Sequence, residues 1–543
     1  LRPAPSWRLA PLALALIQVW AVAAEAPITP GSVQESVGGG KPRPPGGLPQ
    51  VVVPVQSAPS QHPANAKRFR VNAFDMSGNT VFKTRYLKTV IERFVDQELN
   101  LNDLNKAAEA ITAFYHDRGY TLARAVIPAQ KVQDGVVVIQ IVEGRFGKVT
   151  FSGNKRYSSS FLAARTALLT PGALVTTGKL ENNLLLLNDL PGMSAKVVLE
   201  PGAEFGATDA EIVIKERLVD GSLTFNNYGR EETGQRKLEF AMNVNAPFGW
   251  GDQLAISGSS TQQKLVRYWK FGYSLPINTL GTRVAVSTSK AEYQVSGALA
   301  ALGIGGEIKT SELVVSHPFV RSREENQSLS VALKRSQLKQ SALGAPLSDS
   351  AISLYTATWL FNQVQDDASV TNASFALATN FKSGNDTTSQ DKVFARMEFD
   401  GNHTAPFIQQ WDLYLRANYV HSKERLPDTE KFSLGGPSSV RAFRTSEVRG
   451  DRGYLAQIEL RRPFSVFSKM GVFRLTLDAG EVVYKMAGFN DSKDRLRSMG
   501  FGATFYPFSN VTAAFDFARA TGTTHVASDD KINRLWMTVS AHF

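Results

Sequence analysis

The 543-residue chain contains no cysteine. It therefore forms no disulfide and offers no thiolate to zinc or an iron–sulfur cluster. A long chain without thiols suits an oxidising compartment, where stray thiols are a liability. Helical membrane spans are also missing. The longest apolar run, Leu9 to Val22, falls short of the roughly 20 residues a spanning helix needs, and mean hydropathy is only −0.16. Histidine is sparse: His62, His116, His317, His403, His421, His525 and His542. No two of them stand at metal-ligand spacing. There is no Walker loop and no Gly-x-Ser-x-Gly elbow. Leu302-Gly303-Ile304-Gly305-Gly306 is glycine-rich but lacks the lysine and following helix of a phosphate loop. No catalytic residue, cofactor or metal is indicated. The charge balance, 60 Lys+Arg against 49 Asp+Glu, leaves +11. No basic cluster interleaved with stacking aromatics accompanies it, so nucleic acid is not an expected partner. The excess fits a solvated basic surface or a polar pore lining.

At the N-terminus, Arg2 and Arg8 precede the apolar run, which ends in Val22-Ala23-Ala24. A basic region, a short apolar region and small residues describe a signal peptide over residues 1–24, cut after Ala24. The protein is then exported, and membrane insertion would be by strands. Residues 25–66 are rich in Pro, Gly, Ser and Val, with Gly38-Gly39-Gly40 and Pro42-Arg43-Pro44-Pro45. Such a stretch buries no core and reads as a flexible or polyproline-like linker.

From Phe69 the pattern becomes that of small α+β modules. The first, residues 67–145, has a strand at Phe69 to Phe74 and a turn at Ser77-Gly78-Asn79. Helices are expected at Thr84 to Val95, with Leu87, Ile91 and Phe94 inward, and at Leu101 to Asp117, with Leu104, Ala108, Ile111 and Tyr115 inward and Asn102 as cap. Strands at Leu122 to Ile127 and Val136 to Val142 close it. The second module, residues 146–219, repeats the order: strand Lys148 to Phe151, turn Ser152-Gly153-Asn154, helices Ser159 to Leu169 and Thr177 to Leu190, strands Ala195 to Glu200 and Ala210 to Lys215. The shared Ser-Gly-Asn turn marks an internal β-α-α-β-β repeat.

From about Asp220 to Phe543 helical periodicity disappears. Alternating segments of roughly ten residues, such as Asp252 to Ser260 and Gln327 to Leu338, are separated by Gly, Asn, Asp and Pro turns, the signature of a transmembrane antiparallel β-barrel. About sixteen strands are expected, an even number as in closed bacterial barrels. Pro-Phe recurs at Pro247-Phe248, Pro318-Phe319, Pro406-Phe407, Pro463-Phe464 and Pro507-Phe508, each at the end of an even-numbered strand. These mark a rim of short turns, with phenylalanine at the lipid interface. The other rim carries longer loops, with Ser341 to Ser350 outside a strand and Leu426 to Gly450 the longest. In the last strand Leu535, Met537, Val539 and Ala541 share one face and Trp536, Thr538, Ser540 and His542 the other, ending in Phe543. That resembles the terminal assembly signal of outer-membrane barrels.

Within the longest loop lies Gly435-Gly436-Pro437-Ser438-Ser439-Val440-Arg441-Ala442-Phe443. One reading is an ordinary exposed glycine-rich loop. The other is a loop folded inwards, because Val440 and Phe443 bracket the arginine and apolar flanks favour burial. An enclosed Arg441 needs a carboxylate; Asp478, in Thr476-Leu477-Asp478-Ala479-Gly480 on the strand after the next turn, is the candidate.

Taken together, these features resemble the transporters of two-partner secretion, the family of the hemolysin and filamentous-adhesin secretion proteins. The paired modules are similar to polypeptide-transport-associated (POTRA) domains, on the Ser-Gly-Asn turns, Arg118-Gly119-Tyr120, Val142-Glu143-Gly144 and Leu190-Pro191-Gly192. The family's Gly-Gly-x-x-Ser-Val-Arg-Gly-Phe/Tyr pattern falls on Gly435, Gly436, Ser439, Val440, Arg441 and Phe443, with Ala442 where glycine is usual. Its Phe-x-Asp-x-Gly motif falls on Asp478 and Gly480, with Thr476 where the aromatic is usual. The resemblance implies an outer-membrane translocator with its POTRA domains in the periplasm. They would bind an unfolded partner exoprotein carrying an N-terminal secretion domain. Arg441 would lie inside the barrel against Asp478, and exchanging the two charges should restore part of the function. The barrel assembly machinery and outer-membrane lipid are the other implied partners. In relatives a plug helix precedes such a linker, so 25–66 is also a possible plug region, though its Pro and Gly content allows no helix to be placed. A barrel-assembly factor of the same superfamily and a passive porin with periplasmic domains are the alternatives.

Overall fold

The structure is a computed structural model. It describes residues 29, 32–34, 50–52, 68–167, 169–380, 393–485, 490–522 and 527–543. The signal-peptide expectation for residues 1–24 lies outside them. Two compact units emerge, one of Gly46–Arg217 and one of Leu1–Pro45 with Leu218–Phe543.

In the first unit, strand β1 (Gln50–Val52) comes from the linker. The first module follows: β2 (Phe69–Val71), β3 (Ala73–Ser77), helix α1 (Thr84–Val90), β4 (Gln97–Leu99), helix α2 (Leu101–His116), β5 (Arg124–Val126) and β6 (Val136–Val142). The sheet runs β3-β6-β5, and β2 pairs separately with β4. Leu87, Ile91, Leu104, Ala108, Ile111 and Tyr115 are all buried in its core, and Phe94 packs against it part-buried. The strand expected over Phe69 to Phe74 is broken at Asn72. The first helix stops at Val90 and continues as a 3-10 turn, Glu92–Phe94. Asp96, at φ 58°, then swings the chain into β4, and its amide donates to the Val71 carbonyl at 2.8 Å. The cap of α2 is Asn100, not Asn102. Its side chain accepts from the Asp103 amide at 3.0 Å, and Asp103 accepts from the Asn100 amide in return, a capping box.

The second module has β7 (Arg145–Ser152), helix α3 (Ser159–Arg165), helix α4 (Thr177–Asn188), β8 (Met193–Pro201) and β9 (Ala207–Glu216). Helix α3 ends at Arg165, four residues short of the expected Leu169. The sheet order is β1-β8-β9-β7, so the linker strand β1 covers the β8 edge in parallel register, with Val51 opposite Val197. The repeat extends to hydrogen bonds. In each module the turn asparagine donates to a carbonyl three residues on, Asn79 to Phe82 and Asn154 to Tyr157, both at 2.8 Å. In each a glutamate near the end of the module collects the next backbone N–H groups. Glu143 accepts from Thr80 and Val81, and Glu216 from Lys155 and Arg156.

The second unit is a closed antiparallel barrel, sixteen strands among the described residues. In order they are β10 (Val219–Asn226), β11 (Lys237–Asn245), β12 (Gln253–Thr261), β13 (Val266–Pro276), β14 (Arg283–Gln294), β15 (Gly305–Arg321), β16 (Glu325–Ala342), β17 (Ala345–Val364), β18 (Val370–Asn380), β19 (Ala395–Ile408) and β20 (Trp411–Ser422). A hairpin of β21 (Phe432–Leu434) and β22 (Val448–Gly450) lies outside the wall. The wall resumes with β23 (Arg452–Val466), β24 (Lys469–Tyr484), β25 (Ser492–Phe508), β26 (Val511–Ala520) and β27 (Asn533–His542), which pairs with β10. Alternation decides which way each side chain faces. On β27, Leu535, Met537 and Val539 are exposed while Trp536 is buried, so the apolar face is the outer, lipid-facing one. No described helix is long and apolar enough to cross a membrane.

Every Pro-Phe pair closes an even-numbered wall strand, and four of the five phenylalanines (Phe248, Phe319, Phe407 and Phe508) are exposed. The turns they mark are short, and β10 begins at that same rim, Val219 facing Val244. On the opposite rim, Ser341 to Ser350 is not a loop. β16 and β17 run on as a paired hairpin with only Leu343 and Gly344 between them. Its polar residues pair by backbone, which composition does not reveal. Phe543 is exposed, and its amide and carbonyl both pair with Gly221.

Candidate functional site

The stretch between β20 and β23 folds away from solvent: from Ser433 to Gly450 every residue except Ser438 is buried. The exposed-loop reading is therefore excluded. Its base is stapled by Asp451, whose carboxylate accepts from the amides of Leu426 and Lys485, each at 2.7 Å. At the entry, buried Glu430 meets Lys334 of β16 at 2.8 Å and Arg396 of β19 at 3.1 Å. The β21–β22 hairpin then carries the glycine-rich tip, which the sequence pattern did not resolve as strands.

Gly435 and Gly436 adopt φ of 106° and 101°, conformations open to glycine and costly for other residues. Ser439 accepts from the Gly435 amide at 3.2 Å and so closes the turn. Val440, Ala442 and Phe443 are fully buried with Leu434, Val448, Leu455, Val482, Leu496 and Ala518. Ala442 is not at positive φ, so its backbone does not require a glycine at this position. Gly480 is needed for close approach: a Cβ there would meet Leu434 and the Tyr454 carbonyl at 2.7 Å.

Arg441 Nη1 lies 2.9 Å from Asp478 Oδ1 on β24. The Arg441 backbone N–H donates to Asp478 Oδ2 at 3.1 Å, Ser498 of β25 donates to Oδ2 at 2.8 Å, and Gln457 of β23 donates to Oδ1 at 2.9 Å. The other arm of the guanidinium, Nη2, binds Glu459 of β23. Glu459 also receives Arg461 at 2.7 Å. Trp536 donates to the Arg441 carbonyl at 2.8 Å, and Arg416, paired with Asp400 at 3.0 Å, donates to the Ser438 carbonyl at 3.0 Å. One arginine is thus held by two carboxylates on adjacent strands. All three side chains are buried, so each charge depends on the others for compensation.

Glu459 and Gln457 escaped the sequence reading. The signal was available: in β23 polar residues alternate with apolar ones, and pairing β23 with β24 sets Gln457 opposite Asp478 and Glu459 opposite Thr476. Thr476, in place of an aromatic, is buried, and its hydroxyl finds no hydrogen-bond partner among the described residues. Beyond Arg441, Arg444 reaches Glu232 of the loop after β10 at 2.7 Å, and Glu447 accepts from the Ser528 amide of the loop before β27 at 2.6 Å. Two rim loops therefore close over the same element.

The barrel unit also includes a helical turn at residues 32–34. Val33 packs with inward-facing Val266, Tyr293, Ile308 and Leu338, and Arg449 donates to Thr29 at 2.8 Å. Three residues have no periodicity from which a helix can be read. Among the described residues, no group of His, Asp and Glu could hold a metal ion.

Fold and site together define a transmembrane barrel preceded by a POTRA region and containing an inward-folded loop. Residues 210–505 match the family described as haemolysin secretion/activation protein ShlB/FhaC/HecB, and residues 69–144 match the POTRA domain, ShlB-type. The chain belongs to this family. It is similar to the heme/hemopexin transporter protein HuxB of Haemophilus influenzae, 25% identical over 404 residues covering 71% of this chain and 70% of that one. It is also similar to the hemolysin transporter protein ShlB of Serratia marcescens, 23% identical over 410 residues, 72% and 71% of the two chains. Among solved structures, CdiB from Escherichia coli superposes with a TM-score of 0.71 at 20% identity, covering 90% of this chain and 93% of that one.

Proposed function

We propose that the chain carries an unfolded partner protein from the periplasm across the outer membrane to the cell surface. The two modules receive it, and the inward loop governs its passage through the barrel. The observation that carries this reading is the loop from Ser433 to Gly450, buried in the barrel and pinned by Arg441 to Asp478 and Glu459. A passive porin needs no such element, and a barrel-assembly factor of the same superfamily usually carries more than two modules. The helical turn at residues 32–34 serves as part of a plug. The modules bind the client in extended form by strand addition, which needs an unpaired edge. Among the described residues β5 offers one; β8 offers another only when β1 leaves it. Folding outside gives the transfer its direction, since that membrane has no ATP supply. No catalytic step is assigned to any residue. The client belongs to the secreted haemolysin, adhesin, toxin or heme-acquisition class.

Deleting Phe69 to Leu218 tests this. Export of the client into the medium should stop, while the barrel still inserts and its conductance in planar bilayers persists. Continued export without the modules would refute the reading.

A further inference from the structure

The outer wall turns from apolar to basic near the long-loop rim of β24 to β26. Odd-numbered residues of β25 and β26 face outwards here: Met499 and Phe501 are exposed, whereas Leu496, Ser498 and Ala518 are buried. Arg519 stands in register with Met499, whose neighbour on β24 is Leu477, so an arginine ends an otherwise apolar row. Arg497 occupies the next outward position above Met499, and Arg495 the one above that. Outward neighbours on one strand lie about 7 Å apart, and diagonal neighbours on adjacent strands about 7–8 Å. The three guanidiniums therefore form a short stair rising from the edge of the apolar band. Tyr454, exposed on β23 and in register with Glu481, sits at the height of Arg495, as an interfacial aromatic does.

The charge on this stair is not balanced. Arg495 meets Glu481 at 2.5 Å, but Arg497 and Arg519, both exposed, form no ion pair or side-chain hydrogen bond among the described residues. In the flanking loops Asp491 is taken by Arg452 at 2.8 Å and Asp529 by Arg534 at 2.7 Å. Clustered like charges destabilise a sheet surface unless an anion joins them. Arginine's planar fork suits phosphate oxygens. The level, at the top of the apolar band, is that of lipid headgroups. On the inner side of the same wall, between Arg497 and Met499, Ser498 donates to Asp478.

We propose that Arg495, Arg497 and Arg519 bind the phosphate groups of an outer-leaflet glycolipid headgroup, steadying the wall that anchors the inward loop. This rests on the orientation in the proposed function, with the long-loop rim outside. The full-length chain is purified in detergent and titrated with diphosphorylated lipid A, with the same lipid dephosphorylated, and with inorganic phosphate alone. The midpoint of the heat-induced shift in gel mobility is read out. The phosphorylated lipid should raise the midpoint and the dephosphorylated lipid should not. The Arg497→Gln/Arg519→Gln variant should need about tenfold more phosphorylated lipid for the same rise. Its midpoint without lipid should not fall and should rise slightly, since both side chains lie outside the loop contacts and their mutual repulsion is removed. Equal response of variant and wild type, or the full rise from inorganic phosphate alone, overturns the site. Orientation is checked separately with Ser492→Cys on intact cells, in a chain that has no other cysteine. Labelling by an impermeant maleimide supports an outer-leaflet ligand. Labelling only after permeabilisation overturns it, whatever the titration gives.

Discussion

Replacing Arg441 by alanine removes the one cation shared by Asp478 and Glu459. Glu459 keeps Arg461 at 2.7 Å, so its charge remains compensated. Asp478 keeps only neutral donors: the residue-441 amide, Ser498 and Gln457. Breaking a buried pair from one side costs about 3–5 kcal/mol. The three remaining hydrogen bonds place the cost at the low end, about 3 kcal/mol, or roughly a hundredfold in the balance between docked and released loop. No wall hydrogen bond is touched, so the barrel should still insert and remain heat-modifiable. A Val440→Cys reporter follows the loop. In the Arg441→Ala background its labelling rate should rise by about two orders of magnitude, and client in the medium should fall to a small fraction. Unchanged labelling together with normal secretion would refute the reasoning. Asp478→Asn should be milder, because Arg441 retains Glu459. Exchange of the two charges, which the sequence suggested as a rescue, should fail: an aspartate at 441 would face Glu459.

Other outcomes follow from the same geometry. Ala442→Gly should cost about 1 kcal/mol or less, while Ala442→Leu should expel the tip, both read by secretion and by the Val440→Cys reporter. Thr476→Val should leave function intact and stabilise the barrel slightly, because it removes a buried hydroxyl without a partner among the described residues; the heat-modifiability midpoint measures this. Cysteines at Val51 and Val197, in register across β1 and β8, should cross-link on oxidation and reduce export, with recovery on adding dithiothreitol. In the first module, burial and then the hydrogen bond to Glu143 raise Tyr115 above its ordinary 10.0. The unfolded chain therefore ionises first, and the stability Tyr115 contributes is lost as pH rises past about 10. The urea midpoint of the Gly46–Arg217 unit should fall in that range, and Tyr115→Phe should flatten the dependence.

Much of this protein is legible without coordinates because its signals are local. Alternation over single strands exposes the barrel, and the Pro-Phe pairs sort its rims. A 3.6-residue apolar period places α2, whose inward residues are all buried. The repeated Ser-Gly-Asn turn reveals two copies of one module, because the same hydrogen-bonding geometry recurs in each. Arg441 and Asp478 stand out because charge beside apolar residues on an alternating strand or in a glycine-rich loop requires compensation.

Tertiary structure decided what depends on register and on residues distant in the chain. Glu459 becomes the second partner of Arg441 only when β23 and β24 are paired, since no spacing rule relates positions 18 residues apart across a folded loop. β16 and β17 extend through a polar stretch because backbone pairing, not side-chain polarity, holds them. The cap of α2 fell on Asn100 because Asp103 answers it from one turn on. Ala442 is tolerated because its backbone does not enter the left-handed region, a property of φ that residue identity alone does not specify. The linker strand β1 pairs with β8, and the turn at 32–34 is buried in the barrel unit. Neither segment has a pattern of its own; each takes its conformation from the surface it meets.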